Sequence, residues 1–235
     1  RANRWTMDGW LLCDFHNRDA IAYKVLGMDP AKFTSRRWFY WIPAGGEPVR
    51  LCSKVEPNRL NELPGALRYY LSWRELHDGL KGVLGGAKKV AMQWSPDCNI
   101  PYVSIVDGGT IDLVRRLGYE VVSSAGLVQT FQAVLDDAAY RSHLEACKRV
   151  QKIKDEAFAL IGSELRAGRT FTQYDGQQFI LRRFAEEGLT CMGENPMVGT
   201  NEHPADPHFE PSPENARPIR KGDTVLIDLW AKLDQ

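Results

Sequence analysis

Up to residue 133 the chain alternates short apolar runs of strand length with runs of helical period. GWLLCDF, RRWFYWIP, PVRLCSKV, RYYLSW, KKVAMQW and YEVVSS are rich in β-branched and aromatic residues and predict strands. Between them ELHDGLKGVLGG and GTIDLVRRLG read as short helices that stop at glycine. Strands alternating with helices imply an α/β layer, a mixed or mostly parallel sheet covered by helices.

After FQAVLDDAAYRS the period changes. Tyr140, Leu144, Cys147, Val150, Ile153, Ala157 and Leu160 recur at steps of three and four, one stripe of a long amphipathic helix ending near Gly168. Thr170 with Gln173 has the spacing of a capping box. It opens a second helix with Ile180, Leu181 and Phe184 on one face and Gly188 at its end. From Gly193 to Lys221 the residues are those of a loop, and a loop of that length in a compact domain is more often functional than filler. GDTVLIDLW then reads as a turn entering a buried strand. With 235 residues, two domains are expected, 1–135 and 136–235.

Charge and cysteine content exclude more than they assign. Lys plus Arg and Asp plus Glu each total 30, which argues against a nucleic-acid or membrane-surface protein that relies on a basic field. The aromatic strand SRRWFYWIP carries solvated arginines rather than a nucleic-acid surface, and GGAKK lacks the spacing of a phosphate loop. Cys13, Cys52, Cys98, Cys147 and Cys191 are odd in number and contain no C-x-x-C pair, so they read as reduced thiols, mostly in the core, of a cytoplasmic protein. No apolar stretch is long enough to span a bilayer, and no secretory leader is evident at the start.

Two residues carry candidate chemistry. Asp228 is the only charge inside VLIDLW. If desolvated it needs a partner: an ion pair, backbone N–H groups at the strand end, or a metal. His208 lies between Pro207 and Phe209, placed either to stabilise a developing oxyanion or simply to bond to loop backbone.

In order along the chain, Gly199, Asn201, Pro207-His208-Phe209, Ile219, Gly222-Asp223 and Val225-Leu226-Ile227-Asp228 resemble the first half of the pita-bread metallopeptidase family. That family includes Xaa-Pro aminopeptidases, prolidases, methionine aminopeptidases and creatinase. FHNRDAIAYKVLG, taken as a Tyr-rich strand segment, and WFYWIPAGGEPVRLC, taken as a hairpin, resemble the amino-terminal domain of the proline-specific and creatinase branches.

The resemblance implies a creatinase-like α/β domain followed by the first part of an α+β pita-bread catalytic domain, with the chain stopping inside the latter. It implies a metal-dependent exopeptidase acting before proline on a small peptide, as a homodimer, with two divalent ions, Mn or Co, or Zn. Asp228 would be the first of their ligands and His208 the histidine facing the scissile bond. The alternatives are a creatinase-like amidinohydrolase, which needs no metal, and a pita-bread domain that has become a binding module. Three features depart from the family pattern. Trp230 stands where a glycine is usual, the interval from His208 to Asp228 is lengthened within SPENARP, and His203 has no general counterpart. Asp234 lies too close to Asp228 to be the usual second ligand.

Overall fold

The computed structural model describes residues 7–233. The chain packs as two units, Arg1–Val134 and Leu135–Gln235.

In the first unit the elements run β1 (Gly9–Asp14), α1 (Ala20–Leu26), β2 (Trp38–Pro43), β3 (Val49–Ser53), β4 (Ala66–Tyr70), α2 (Trp73–Leu84), β5 (Lys89–Met92), α3 (Gly108–Arg116), β6 (Glu120–Ser123) and α4 (Ala125–Gln132). The six strands form one mixed sheet in the order β4-β3-β2-β1-β5-β6. β1 pairs antiparallel with β2 and parallel with β5. Alternation along β1 divides the core. Leu11 and Cys13 join Phe39, Leu51, Leu76, Leu80, Ile111 and Val114 under α2 and α3. Trp10 and Leu12 join Trp38, Tyr40, Ile21, Ala22, Tyr23 and Val128 under α1 and α4. Every residue of β1 is buried, as expected of a strand covered on both faces.

The segment DAIAYKVLG is helix, not strand. The Asp19 carboxylate accepts the Ala22 N–H at 2.8 Å, and Gly27 closes the helix at φ 63°, so start and stop signals override the aromatic content. The helix α4 was likewise not expected from the sequence. The thiols also divide otherwise than predicted. Only Cys13 and Cys52 are buried, whereas Cys98 and Cys147 are exposed and Cys191 is intermediate.

Asp19 is also the buried end of a polar chain. Trp10 Nε1 donates to Gln93 Oε1 at 3.0 Å, and Gln93 Nε2 donates to Asp19 Oδ2 at 2.6 Å. Burial pushes the Asp19 carboxyl up to about 7, with the charge of Asp14 adding to the rise and the Ala22 and Gln93 bonds opposing it. The folded value lies above that of an unfolded aspartate, so the stabilisation from a protonated Asp19 is fully present below about pH 4 and is lost as the pH rises through neutrality. Between about pH 5 and 8 the unfolding free energy should fall by on the order of 1–3 kcal/mol more in the wild type than in Asp19→Asn. Urea titrations across that range check this, and equal slopes for the two proteins would show that Asp19 does not titrate there.

The second unit runs α5 (Asp137–Arg166), α6 (Gln173–Glu186), β7 (Leu189–Thr190), β8 (Met197–Thr200), β9 (Val225–Asp228) and β10 (Lys232–Leu233). Asp136 caps α5 through the Ala139 N–H at 2.7 Å. Ala146, Ile153, Ala157 and Ile161 of α5 pack with Ile180 and Phe184 of α6 and with Val198 and Ile219. The apolar stripe therefore differs from expectation. Tyr140 and Leu144 are 53% and 48% exposed, and the buried seam adds Ala146 and Ile161 to the expected Ile153 and Ala157. Arg183 of α6 reaches Glu156 of α5 at 2.7 Å, and Lys152 of α5 reaches Glu187 at the end of α6 at 2.8 Å, so two ion pairs tie the helices. The capping box of α6 lies two residues later than read from the sequence. Thr172 and Asp175 form it reciprocally, leaving Gln173 inside the helix.

Candidate functional site

The segment between α6 and β9, expected to be loop, contains β8. The four residues of β8 pair antiparallel with β9, placing Val198 opposite Ile227 and Met197 opposite Asp228. Val198, Val225 and Ile227 turn toward the helices and join the core of the second unit. Gly199, Leu226 and Asp228 lie on the other face, where an added Cβ on Gly199 would stand 3.0 Å from Pro204 Cγ.

The expectation of a buried β9 is corrected here. Its burial alternates, Leu226 is 40% exposed, Trp230 is 38% exposed, and Asp228 is exposed at the strand end. The desolvation argument for a partner does not apply to Asp228, since its carboxylate is in contact with solvent.

The motif residues around these strands act as fasteners. Asn201, at φ 52°, donates from Nδ2 to Asp223 Oδ1 at 2.9 Å and accepts the Thr224 N–H at 3.2 Å. Asp223 Oδ2 accepts the Arg220 N–H at 2.8 Å, and the Asn201 bond leads in holding this carboxyl below the usual range. Gly222 supplies φ 96° for the turn. Asn201 and Gly222-Asp223 thus fix the entry of β9 and with it the position of Asp228.

A buried amide organises the loop that carries the histidines. Gln173 is fully buried; its Nε2 donates to Thr200 Oγ1 at 2.9 Å, and its Oε1 accepts the Arg217 N–H at 2.9 Å. The same Nε2 lies 2.9 Å from His203 Nδ1, so His203 accepts this bond when its proton sits on Nε2. The His203 ring packs against Phe209 with centroids 4.2 Å apart. Phe171 and Ile219 complete the seam, the Ile219 N–H donating to the Phe171 carbonyl at 2.8 Å.

His208, next to Phe209, is exposed and is placed by its backbone N–H, which donates to Asp206 Oδ1 at 2.9 Å. The lengthened interval in SPENARP folds into a closed turn. There the Ser212 N–H donates to Asn215 Oδ1 at 2.7 Å, and Asn215 Nδ2 donates to the Glu210 carbonyl at 3.0 Å. No ion pair among the described residues joins His208 to Asp228. Nor does any group of three or more His, Cys, Asp or Glu among them have the arrangement to hold a metal. Asp234 lies outside the described residues.

Residues 145–235, which contain all of these features, match the sequence pattern of Metallopeptidase family M24. The likeness to that family is confined to this part of the chain. Similar solved structures include a prolidase from Thermococcus sibiricus at 18% identity and TM-score 0.52, covering 97% of this chain and 57% of that one. The dipeptidase PepE from Mycobacterium ulcerans is 18% identical at TM-score 0.53, covering 94% of this chain and 55% of that one. A dipeptidase from Pyrococcus horikoshii is 18% identical at TM-score 0.51, covering 97% and 58%. At these identities the likeness establishes a shared fold, an α/β amino-terminal unit followed by part of the M24 region. The chain spans less than two thirds of the length of these structures. A search of curated proteins found no match. No helix among the described residues is long and apolar enough to cross a membrane.

Proposed function

We propose that the chain is the amino-terminal part of a metal-dependent exopeptidase that hydrolyses the peptide bond before proline. The observation that carries this reading is the M24 match over residues 145–235, with Asp228 exposed at the end of β9 and His208 exposed on the loop fastened to β8. The shared fold with a prolidase and two dipeptidases supports it.

In this reading Asp228 provides one oxygen ligand for a pair of divalent ions, manganese or cobalt, and the others come from residues outside those described. Such a pair, when bound, would activate a water molecule for attack at neutral pH. The protein's own part is positional. The rigid strand end holds the carboxylate, and His208 donates to the carbonyl oxygen as negative charge develops on it. The unit 1–134 is proposed as a separately folding domain. Limited proteolysis should then cut in 190–220 before cutting throughout the first unit, whose sheet buries both faces.

The test uses a chain extended to the length of the prolidase relatives. Manganese-dependent release of the amino-terminal residue from an Ala-Pro peptide is expected. Metal-free hydrolysis of a small amidine substrate would favour an amidinohydrolase, and binding without turnover would favour a recognition module.

A further inference from the structure

The first unit contains a crevice outside the carboxyl ends of β1 and β5. These strands lie side by side and parallel, yet α1 leaves β1 toward one face of the sheet and α3 leaves β5 toward the other. Neighbouring strands whose connections diverge in this way leave a gap between their loops, the usual place for a ligand in an open α/β sheet. Here the gap is a cavity of about 40 Å³ that opens to solvent and is lined by both signs of charge. By the measure on which one water needs about 10–15 Å³, it holds about three water-sized groups.

We propose that this crevice binds a small zwitterion, the carboxylate and ammonium head of an α-amino acid. Two arginines line it, Arg18 and Arg37, and neither is in an ion pair among the described residues. Arg18 spends only its Nε, on the Phe15 carbonyl at 3.0 Å, so both guanidinium groups keep donors for a carboxylate.

Three acidic residues line it, and two of them are taken up by the fold: Asp19 accepts the Ala22 N–H at 2.8 Å and Gln93 Nε2 at 2.6 Å. Asp14 is saturated by the fold, with Oδ1 accepting the N–H groups of Arg18 and Asp19 and Oδ2 accepting the Asn17 N–H and the Tyr23 hydroxyl. Asp107 accepts one bond on each oxygen, from the Thr110 N–H at 2.9 Å and the Thr110 hydroxyl at 2.7 Å. Each of its oxygens keeps a lone pair for an ammonium. Burial works against the charge on Asp107, but the Thr110 bonds and the positive fields of Arg18 and Arg37 outweigh it and hold the carboxyl low. Cys13, a buried free thiol, and Phe39, Ile105 and Val106 form a wall of low polarity that strengthens ionic contacts beside it. The head of an amino acid matches the three-group volume and meets both signs, whereas a nucleotide is too large. This proposal is independent of the peptidase reading.

The test is a nitrogen-15 NMR titration of the 235-residue chain with glycine, alanine, acetate, methylammonium and inorganic phosphate. Glycine and alanine are expected to give saturable shifts at the amides of 14–19 and 107–110 in the millimolar range, with acetate and methylammonium each weaker. Arg37→Gln and Arg18→Gln should each weaken glycine binding roughly tenfold, since each removes a charged hydrogen bond. An unchanged thermal midpoint would show the variants folded. Absence of saturable shifts, equal affinity for acetate or phosphate and glycine, or folded variants that bind glycine like wild type would each overturn the proposal.

Discussion

Replacing Asp228 with Asn in a chain extended to the length of the prolidase relatives is expected to abolish metal-dependent turnover while leaving the fold intact. The substitution keeps the side-chain volume and removes one ligand charge. Loss of an outer-shell partner alone costs a metal site about 10–100-fold, so loss of a direct ligand should cost at least ~100-fold in activity or metal affinity. Asp228 is exposed, and surface substitutions away from structural contacts stay within about 0.5 kcal/mol, so unfolding cannot account for such a loss. His208→Ala should behave differently, keeping its metal content while kcat falls about 10²–10³-fold, the usual cost of one lost oxyanion donor. The 235-residue chain alone should bind manganese weakly, because one carboxylate cannot hold two cations about 3.5–4 Å apart. Metal analysis and steady-state kinetics on both lengths check these outcomes. Full metal occupancy in Asp228→Asn would remove its assigned role.

The second large effect is expected at Gln173. Truncation to Ala leaves a cavity and strips partners from Thr200, His203 and the Arg217 N–H, all of which meet at one buried amide. Leaving buried polar groups unpaired costs about 1–3 kcal/mol each, although Thr200 and His203 can recover part of that from water. Hydrogen exchange over 200–209 and 217–219 should accelerate by at least roughly tenfold, with the first unit unchanged. Unaltered exchange in those segments would mean that the amide is not what holds the loop. In the extended protein the same variant should lower kcat, since the His203 and Phe209 stack sits beside His208.

The six strands of the first unit were legible because each is a short run of β-branched or aromatic residues bounded by turn chemistry. The helix α1 was not, since Tyr23 and its neighbours suit a strand by content, and only the pairing of Asp19 with Gly27 separates the two readings. β8 is four residues containing a glycine and a threonine, too short for a period to show. The capping box was displaced because Thr170 and Thr172 both have a suitable residue three places on, and packing of Gln173 into the interior selects the second. Asp228 and His208 were singled out through motif order alone, and the fold exposes both. The Gln173 network was not, because its partners lie 27 to 44 residues away in sequence and nothing local distinguishes a glutamine that folding will bury. The exposure of Asp228 was missed for a related reason. An apolar run shows that a strand has somewhere to pack, but β9 packs only through Val225 and Ile227.

Anomalous scattering from manganese would show whether the Asp228 carboxylate is a metal ligand of a peptidase site. Crystals of the extended chain grown with manganese should show two peaks, at least one within bonding distance of an Asp228 oxygen, with His208 near the pair but not coordinated to it. Peaks at full occupancy that leave Asp228 uncoordinated, or no peak in that region at saturating manganese, would contradict the account.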